Sequence, residues 1–374
     1  MSGLSIVFLG LSVTSSWGNG HATTYRALVK GLARRGHRVL FLERDVPWYA
    51  THRDLAEPPY GTTRLYGSIG ELRSRFAAAV AQADLVVLGS YVPEGIEVGH
   101  WVLDSAGGAT AFYDIDTPVT LAQLCRGDCP YVSPGLIPRF DLYLSFTGGP
   151  LLERLADEFG ALRPRPLYCS VDPDVHRPQA TGTLWDLGYM GTYSPDRQRG
   201  LEAFLLAPAR ALPDKAFAVA GPQYPPDIAW PANVERFEHL PPSRHSAFYG
   251  AQRFTLNLTR ADMVSAGWSP SVRLFEAAAI GTPIISDAWP GLEAFFVPGQ
   301  EILIADSPQR VTQMVADLPE TERGVIAAAA RRRVLRSHTL VQRAMELEGY
   351  LKEVRAGSWQ SLPRADLAAT EAAE

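Results

Sequence analysis

The stretch Ser269-Pro270-Ser271-Val272-Arg273-Leu274-Phe275-Glu276 brings a helix start, a guanidinium and a carboxylate close together. Ser269 is a candidate N-cap, and Pro270 suits the first helical position. The amides of Ser271 and Val272 would then point outward unpaired, forming an anion site that the helix dipole favours. Helical side chains lean toward the N-terminus, so Glu276 can reach back over this turn. A carboxylate there suits a ribose diol, and Arg273 suits a phosphate. The competing reading is a capped helix with an Arg273–Glu276 ion pair. A second stretch, Gly18-Asn19-Gly20-His21, opens a helix-like run that Gly36 closes, and Glu43 ends the next strand where a dinucleotide's ribose acid would sit. The dinucleotide fingerprint needs its glycines directly after the strand. Here residues 11–17 intervene, so NAD is disfavoured. His21 can cap its helix, hold a substrate by a hydrogen bond, or act as a general base near neutral pH. The third cluster is Asp114-x-Asp116, at the end of an apolar run. Its carboxylates can close a strand and cap the Thr117-Pro118 turn, or hold sugar hydroxyls at a cleft. A metal ion is the weakest of the three readings.

The elements that must position these residues alternate. Short apolar runs at 5–10, 38–43, 84–91, 110–116 and 141–146 read as strands, with helical patterns at 23–35 and 71–83. Near-continuous apolar strands separated by helices imply a parallel sheet covered on both faces. Residues 168–183 are rich in proline and polar residues and read as a linker. The alternation then restarts. Strands are expected at 185–191, 216–221, 253–259 and 282–287, and helices near 197–212 and over 271–281. The segment from Glu322 to Val354 reads as one long helix, and 357–374 as a frayed tail. The expected fold is α/β, with two doubly wound Rossmann-like domains facing across a cleft. Their expected bounds are 1–170 and 181–335, followed by a C-terminal helix and tail over 336–374 that returns toward the N-terminal domain. In such folds ligands bind beyond the carboxyl ends of the strands, and an interdomain cleft is the default site.

Composition removes several classes. The hydrophobic share of 46% and charged share of 20% are those of an ordinary globular chain. A net charge of −5 lacks the basic footprint of a nucleic-acid binder. No apolar run is long enough for a transmembrane helix, and the N-terminal run reads as a strand, not a signal peptide. Three cysteines, Cys125, Cys129 and Cys169, suggest a reducing compartment, hence the cytoplasm, with no disulfide framework and no zinc pair at Cys125-x3-Cys129. Trp48, Tyr49, His52 and Arg53 form a candidate acceptor surface, and Gly148-Gly149 can begin a helix near the cleft.

The run Glu276-Ala277-Ala278-Ala279-Ile280-Gly281-Thr282-Pro283 resembles the donor-binding segment of GT-B glycosyltransferases of the family-4-like "group 1" type, and in particular their CgeB-like (spore maturation protein) branch. "PLYCSVDPDVHRP" (166–178) is similar to the linker of that family, and "LGYMGTYSPDRQRGLEAFL" (187–205) to its first C-terminal strand–loop–helix. The resemblance implies that Glu276 holds the nucleotide ribose and that the amides at Ser271 and Val272, with Arg273, hold the donor diphosphate. Gly191 and Thr192 would lie in the donor loop, with Arg197, or Arg199 as second candidate, on the leaving group. Gly18, Asn19 and Gly20 would form the glycine-rich loop at the cleft floor. Trp268 stands where the family has a glutamate. The resemblance implies transfer of a sugar from a nucleotide-diphosphate donor, UDP by preference, to an unidentified acceptor. No metal or resident cofactor is implied, and Asp114 or Asp116 would hold hydroxyls. Retention is favoured. The alternatives are an inverting enzyme with His21 as base, another GT-B-type enzyme such as an epimerase or phosphorylase, and a non-catalytic nucleotide-sugar-binding protein.

Overall fold

The computed structural model describes residues 3–357, so all of the expected tail except Gly357 lies outside the described residues. Among the described residues thirteen strands form two sheets. In the first half they are β1 (Ser5–Gly10), β2 (Arg38–Arg44), β3 (Thr62–Tyr66), β4 (Leu85–Gly89), β5 (Ala109–Asp114), β6 (Leu142–Ser145) and β7 (Pro164–Pro166). In the second half they are β8 (Trp185–Met190), β9 (Phe217–Ala220), β10 (Val234–Phe237), β11 (Gln252–Asn257), β12 (Ile284–Ser286) and β13 (Leu303–Ile304). The orders are 3-2-1-4-5-6-7 and 10-9-8-11-12-13, and every pairing is parallel.

In the first sheet the central strands β1 and β4 are almost wholly apolar because both faces are covered. Along β1, Val7 and Leu9 join one buried cluster, and Ile6 and Phe8 join the cluster on the opposite face. This is the two-residue alternation of a strand. Each such side chain stabilises the fold by roughly 1.5–3 kcal/mol. In the second sheet Leu187, Tyr189, Phe254 and Leu256 pack on one face against Leu201, Leu205 and Val311, while Ile284 packs on the other with Leu274, Phe275 and Ala278.

Strand order reverses between β1 and β4 in the first sheet, and between β8 and β11 in the second. The loops leaving β1 and β8 therefore open at switch points, where a parallel sheet leaves a crevice. These two loops meet in the site described below.

The C-terminal segment departs from the expectation of one long helix. It forms two helices, Glu320–Ser337 and Leu340–Ala356, interrupted at His338-Thr339. Thr339 is extended there, and Val171 of the linker pairs with the break: its amide donates to the His338 carbonyl at 3.0 Å and its carbonyl accepts from Leu340 at 3.0 Å. The bridge takes backbone groups that a continuous helix would use. The second helix lies against the helix His21–Arg34, where a Cβ at Gly31 would stand 2.4 Å from the Leu340 carbonyl oxygen. Leu347 and Leu351 complete that face of the first core. No helix among the described residues is long and apolar enough to cross a membrane.

Candidate functional site

The loop after β1 is shaped by Glu43 from the end of β2. Its fully buried carboxylate accepts from the Ser12 hydroxyl (2.9 Å), the Val13 and Thr14 amides (2.7 and 3.0 Å) and the Thr14 hydroxyl (2.6 Å). Glu43 thus anchors a loop inside the protein. Asn19 continues the loop, donating to the Ser12 and Ser15 carbonyls and accepting from the His21 amide at 3.1 Å. Gly18 turns the chain at φ +59°, and Gly20 caps the helix His21–Arg34.

On the facing side, the helix of the 269–276 stretch is Val272–Ile280. Its N-cap is Ser271, two residues beyond the expected Ser269. The Ser269 hydroxyl is taken by Thr147 of the first half at 2.8 Å, and the Ser271 hydroxyl donates to Asn257 at 2.8 Å. The amides of Val272 and Arg273 open the helix without a preceding turn to accept them. The Arg273–Glu276 ion pair of the competing reading does not form. Arg273 turns to the strand ends, donating to the Met190 carbonyl at 2.6 Å and to Asn257 at 2.9 Å, with its guanidinium over the Tyr189 ring. Arg197 donates to the Thr192 carbonyl at 2.6 Å and so closes the loop after β8. Gly221 lets that loop pack against β9. A Cβ there would stand 2.0 Å from the Gly191 oxygen, and its φ of +152° excludes other residues without strain.

These parts enclose a cavity of about 250 Å³ between the two sheets. Gly18, Asn19 and Gly20 line it from the first half, and Gly191, Thr192, Arg197, Ser271, Val272, Arg273 and Glu276 from the second. Arg199 does not: it lies on the exposed side of the helix Pro195–Leu201. Ser16, Thr23, His239, His245 and Tyr249 also line the cavity and were not singled out in the sequence. His239, His245 and Tyr249 come from residues 239–250, a region without an internal motif.

The two aspartates have different fates. Asp114 is fully buried and accepts from Tyr143 (2.6 Å) and Thr120 (2.7 Å), so the reading of this residue as a hydroxyl-holding group at the cleft does not survive. Burial pushes its carboxyl up to about 6, although those hydroxyls oppose the shift. Asp116 lies beyond the strand end. Its Oδ2 is 3.5 Å from His21 Nε2 and accepts from Tyr91 at 3.1 Å. Burial would raise its carboxyl, but His21, Arg260 and the Tyr91 hydroxyl together hold it below the ordinary range. His21 and Asp116 thus form a pair, and neither lines the cavity. Among the described residues, side chains come together in metal-ligating number only at His176, His245 and Glu276, not at Asp114 and Asp116.

Glu276 is 2% exposed. Its Oε1 is 3.3 Å from His176 Nε2, and its Oε2 is 3.6 Å from His245 Nδ1 and accepts from Tyr249 at 3.4 Å. Burial opposes its charge, yet the two imidazoles carry its carboxyl well below the usual range.

At the rim, Trp17 stacks on His52 and contacts His239 from the opposite half, both at 4.5 Å between ring centres. Trp48 stands exposed beside His52, and Arg53 is drawn to Asp45 and Thr14. Gly149 caps the helix Pro150–Phe159 against the Trp268 ring, and the Gly148 amide donates to the Trp268 carbonyl at 3.0 Å.

Residues 197–349 match the family described as Glycosyl transferase-like. No curated protein matches the chain significantly in sequence. Solved structures match it over nearly its whole length. The sucrose-phosphate synthase of Thermosynechococcus elongatus is 15% identical with a TM-score of 0.68, covering 95% of this chain and 100% of that one. HepE of Anabaena, solved with UDP and glucose, is 13% identical with a TM-score of 0.67, covering 94% and 100%. AviGT4, a glycosyltransferase involved in avilamycin A biosynthesis, is 18% identical with a TM-score of 0.62, covering 95% and 99%. The chain therefore has the GT-B fold and carries a glycosyltransferase-family domain in its C-terminal half.

Proposed function

We propose that the chain transfers a sugar from a UDP-sugar donor, held mainly by its second half, to an acceptor held by its first. The observation that carries this reading is the cavity itself. One wall presents a helix N-terminus, Arg197, Arg273 and Glu276 to a single volume, opposite the Gly18–Gly20 loop. Glu276 would accept from the ribose hydroxyls. The amides at Ser271 and Val272, joined by that of Arg273 now that Ser271 is the N-cap, would hold the diphosphate with the Arg273 and Arg197 guanidiniums. UDP bound in HepE supports that choice of nucleotide. Within GT-B enzymes we place the chain in the CgeB-like branch, on its linker and its 267–287 segment.

Transfer breaks the bond from the anomeric carbon to the diphosphate oxygen, and charge builds on that oxygen. Donors fixed in place before the reaction stabilise such charge most effectively. Here two arginines and a helix N-terminus supply it, so we propose that transfer needs no divalent ion. In the favoured retaining course, the leaving phosphate oxygen takes the acceptor proton. The new glycosidic bond forms on the face the diphosphate leaves, and no protein base takes part. The His21–Asp116 pair favours a second, inverting reading. A carboxylate 3.5 Å from the imidazole can orient it and support its protonated form, as a general base requires.

Incubating the full chain with a panel of nucleotide sugars, with and without candidate acceptors, tests the proposal. Release of UDP and an anomeric configuration unchanged from donor to product are expected. Absence of both binding and turnover with every donor would overturn it.

A further inference from the structure

The carboxylate of Glu276 is gripped by residues from two other elements. His176 belongs to the linker between the sheets and is 3% exposed, and His245 sits in the helix Pro242–Gly250. The three ligand-capable atoms lie within 4.8 Å of one another. Each imidazole faces its own carboxylate oxygen, His176 at Oε1 and His245 at Oε2. Neither ring nitrogen of His176 has a hydrogen-bond partner, and neither has Glu276 Oε1. His245 Nε2 lies 3.2 Å from the Leu240 carbonyl, which can only accept, so that nitrogen carries a hydrogen. Its Nδ1 then faces Oε2 either as a second N–H or across an inserted donor such as a hydroxyl.

The placement of His176 is fixed from several sides. Its amide donates to the Asp172 carbonyl at 2.8 Å, and the Ser246 hydroxyl donates to the Val175 carbonyl at 2.7 Å. Asp172 pairs with Lys30, and Asp174 with Lys30 and Arg34, on the first-half helix. The imidazole is therefore delivered to Glu276 by a linker braced on both halves. It does not line the cavity, whereas Glu276 and His245 do.

A carboxylate this deeply buried would protonate without a cationic partner, and a protonated carboxyl offers the ribose a weaker acceptor. We propose that His176 is a positioning residue for the donor: it fixes the orientation and charge of the Glu276 carboxylate on the side away from the cavity, leaving the other side for the ribose hydroxyls. The inference rests on the reading of Glu276 as the ribose-binding residue. Burial works against the charge of His176, but Glu276 and Asp172 outweigh it and raise its basicity. The groups facing this cluster are Glu276 from its helix, His245 and Tyr249 from theirs, and Asp172 from the linker. As pH rises through the titration of His176, the positive charge behind Glu276 is lost and donor binding weakens.

The test uses the full chain, UDP and UDP-glucose, with His176→Phe, which keeps a ring without nitrogen, and His176→Gln, which keeps a neutral N–H. His176→Phe is expected to raise the UDP dissociation constant about tenfold or more, the worth of one charge-assisted contact, and to abolish its rise with pH. Turnover at saturating donor should change little. His176→Gln should recover part of the affinity but not the pH dependence. Wild-type affinity and pH profile in the folded Phe variant overturn the inference, and if that variant does not fold, the same result in the Gln variant does so. If the unmodified chain binds neither UDP nor UDP-glucose, the donor-site reading itself falls and the inference with it. If the unmodified chain binds and the variants bind equally, only the inference falls.

Discussion

Replacing Glu276 with glutamine keeps the shape of the side chain and removes its charge. In the structure Oε1 lies 3.3 Å from His176 Nε2 without a hydrogen bond, and Oε2 lies 3.6 Å from His245 Nδ1 and accepts from Tyr249 at 3.4 Å. A ribose diol would add two hydroxyl donors. Hydrogen bonds to a charged group contribute about 1.5–3 kcal/mol and neutral ones about 0.5–1.5 kcal/mol, and a carboxamide retains one accepting oxygen where the carboxylate had two. One bond weakened and one removed give a loss of about 2–4 kcal/mol, or roughly 30- to 700-fold in the dissociation constant of UDP. Calorimetry with UDP and with 2′,3′-dideoxy-UDP checks the assignment, because the dideoxy nucleotide lacks the hydroxyls that Glu276 would hold. Glu276→Gln should weaken UDP strongly and leave the already weak dideoxy ligand almost unchanged. Equal losses for both nucleotides would refute the ribose assignment, because the substitution would then act through the shape of the site alone.

Three further outcomes are expected. Arg197→Ala should lower kcat/KM about 10²–10³-fold, as loss of a leaving-group donor does, while the lost bond to Thr192 costs no more than about 1.5 kcal/mol of stability in urea unfolding. His21→Ala should reduce transfer less than about tenfold if the reaction retains configuration, whereas a loss of 10²–10⁴ shared by Asp116→Asn would assign His21 as the base. The third concerns acid stability. Hydrogen bonding from Arg35, then His37, carries the Glu348 carboxyl from an ordinary 4.5 down to about 2 against the effect of burial. Its stabilisation is fully present above the unfolded value and is lost as pH falls toward about 2, so the gap between wild type and Glu348→Gln in urea midpoints should close over that window.

The central strands were legible because burial on both faces leaves an unbroken apolar run, as in Val7 to Leu9 or Leu85 to Leu88. The edge strands β3, β7, β10 and β13 were not. Thr62–Tyr66 and Val234–Phe237 bury only part of their residues and carry no such run. The break at His338-Thr339 has no proline or glycine to announce it and depends on Val171, far away in the chain. The site divides in the same way. Ser271, Val272, Arg273 and Glu276 share one short stretch, so their meeting could be read from helical geometry. Asp114 and Asp116 are two residues apart, but the strand ends between them. One side chain turns into the core and the other toward His21, a difference that spacing alone does not encode. His176 and His245 reach Glu276 from a linker and a separate helix, and neither has a periodic pattern to mark its direction.

The bridge between Val171 and the helix break has a mechanical consequence. The chain passes between the two halves at the linker and returns at residues 338–340, and the two crossings are stapled side by side by two backbone hydrogen bonds of 3.0 Å. Paired tethers of this kind behave like the two leaves of a door hinge. Two crossings this close would favour opening about the line through them over swivelling about any other. The Gly18–Gly20 loop would then return to the same register over Arg197 and Glu276 at each closure. Loosening one tether alone would leave the other to hold the alignment.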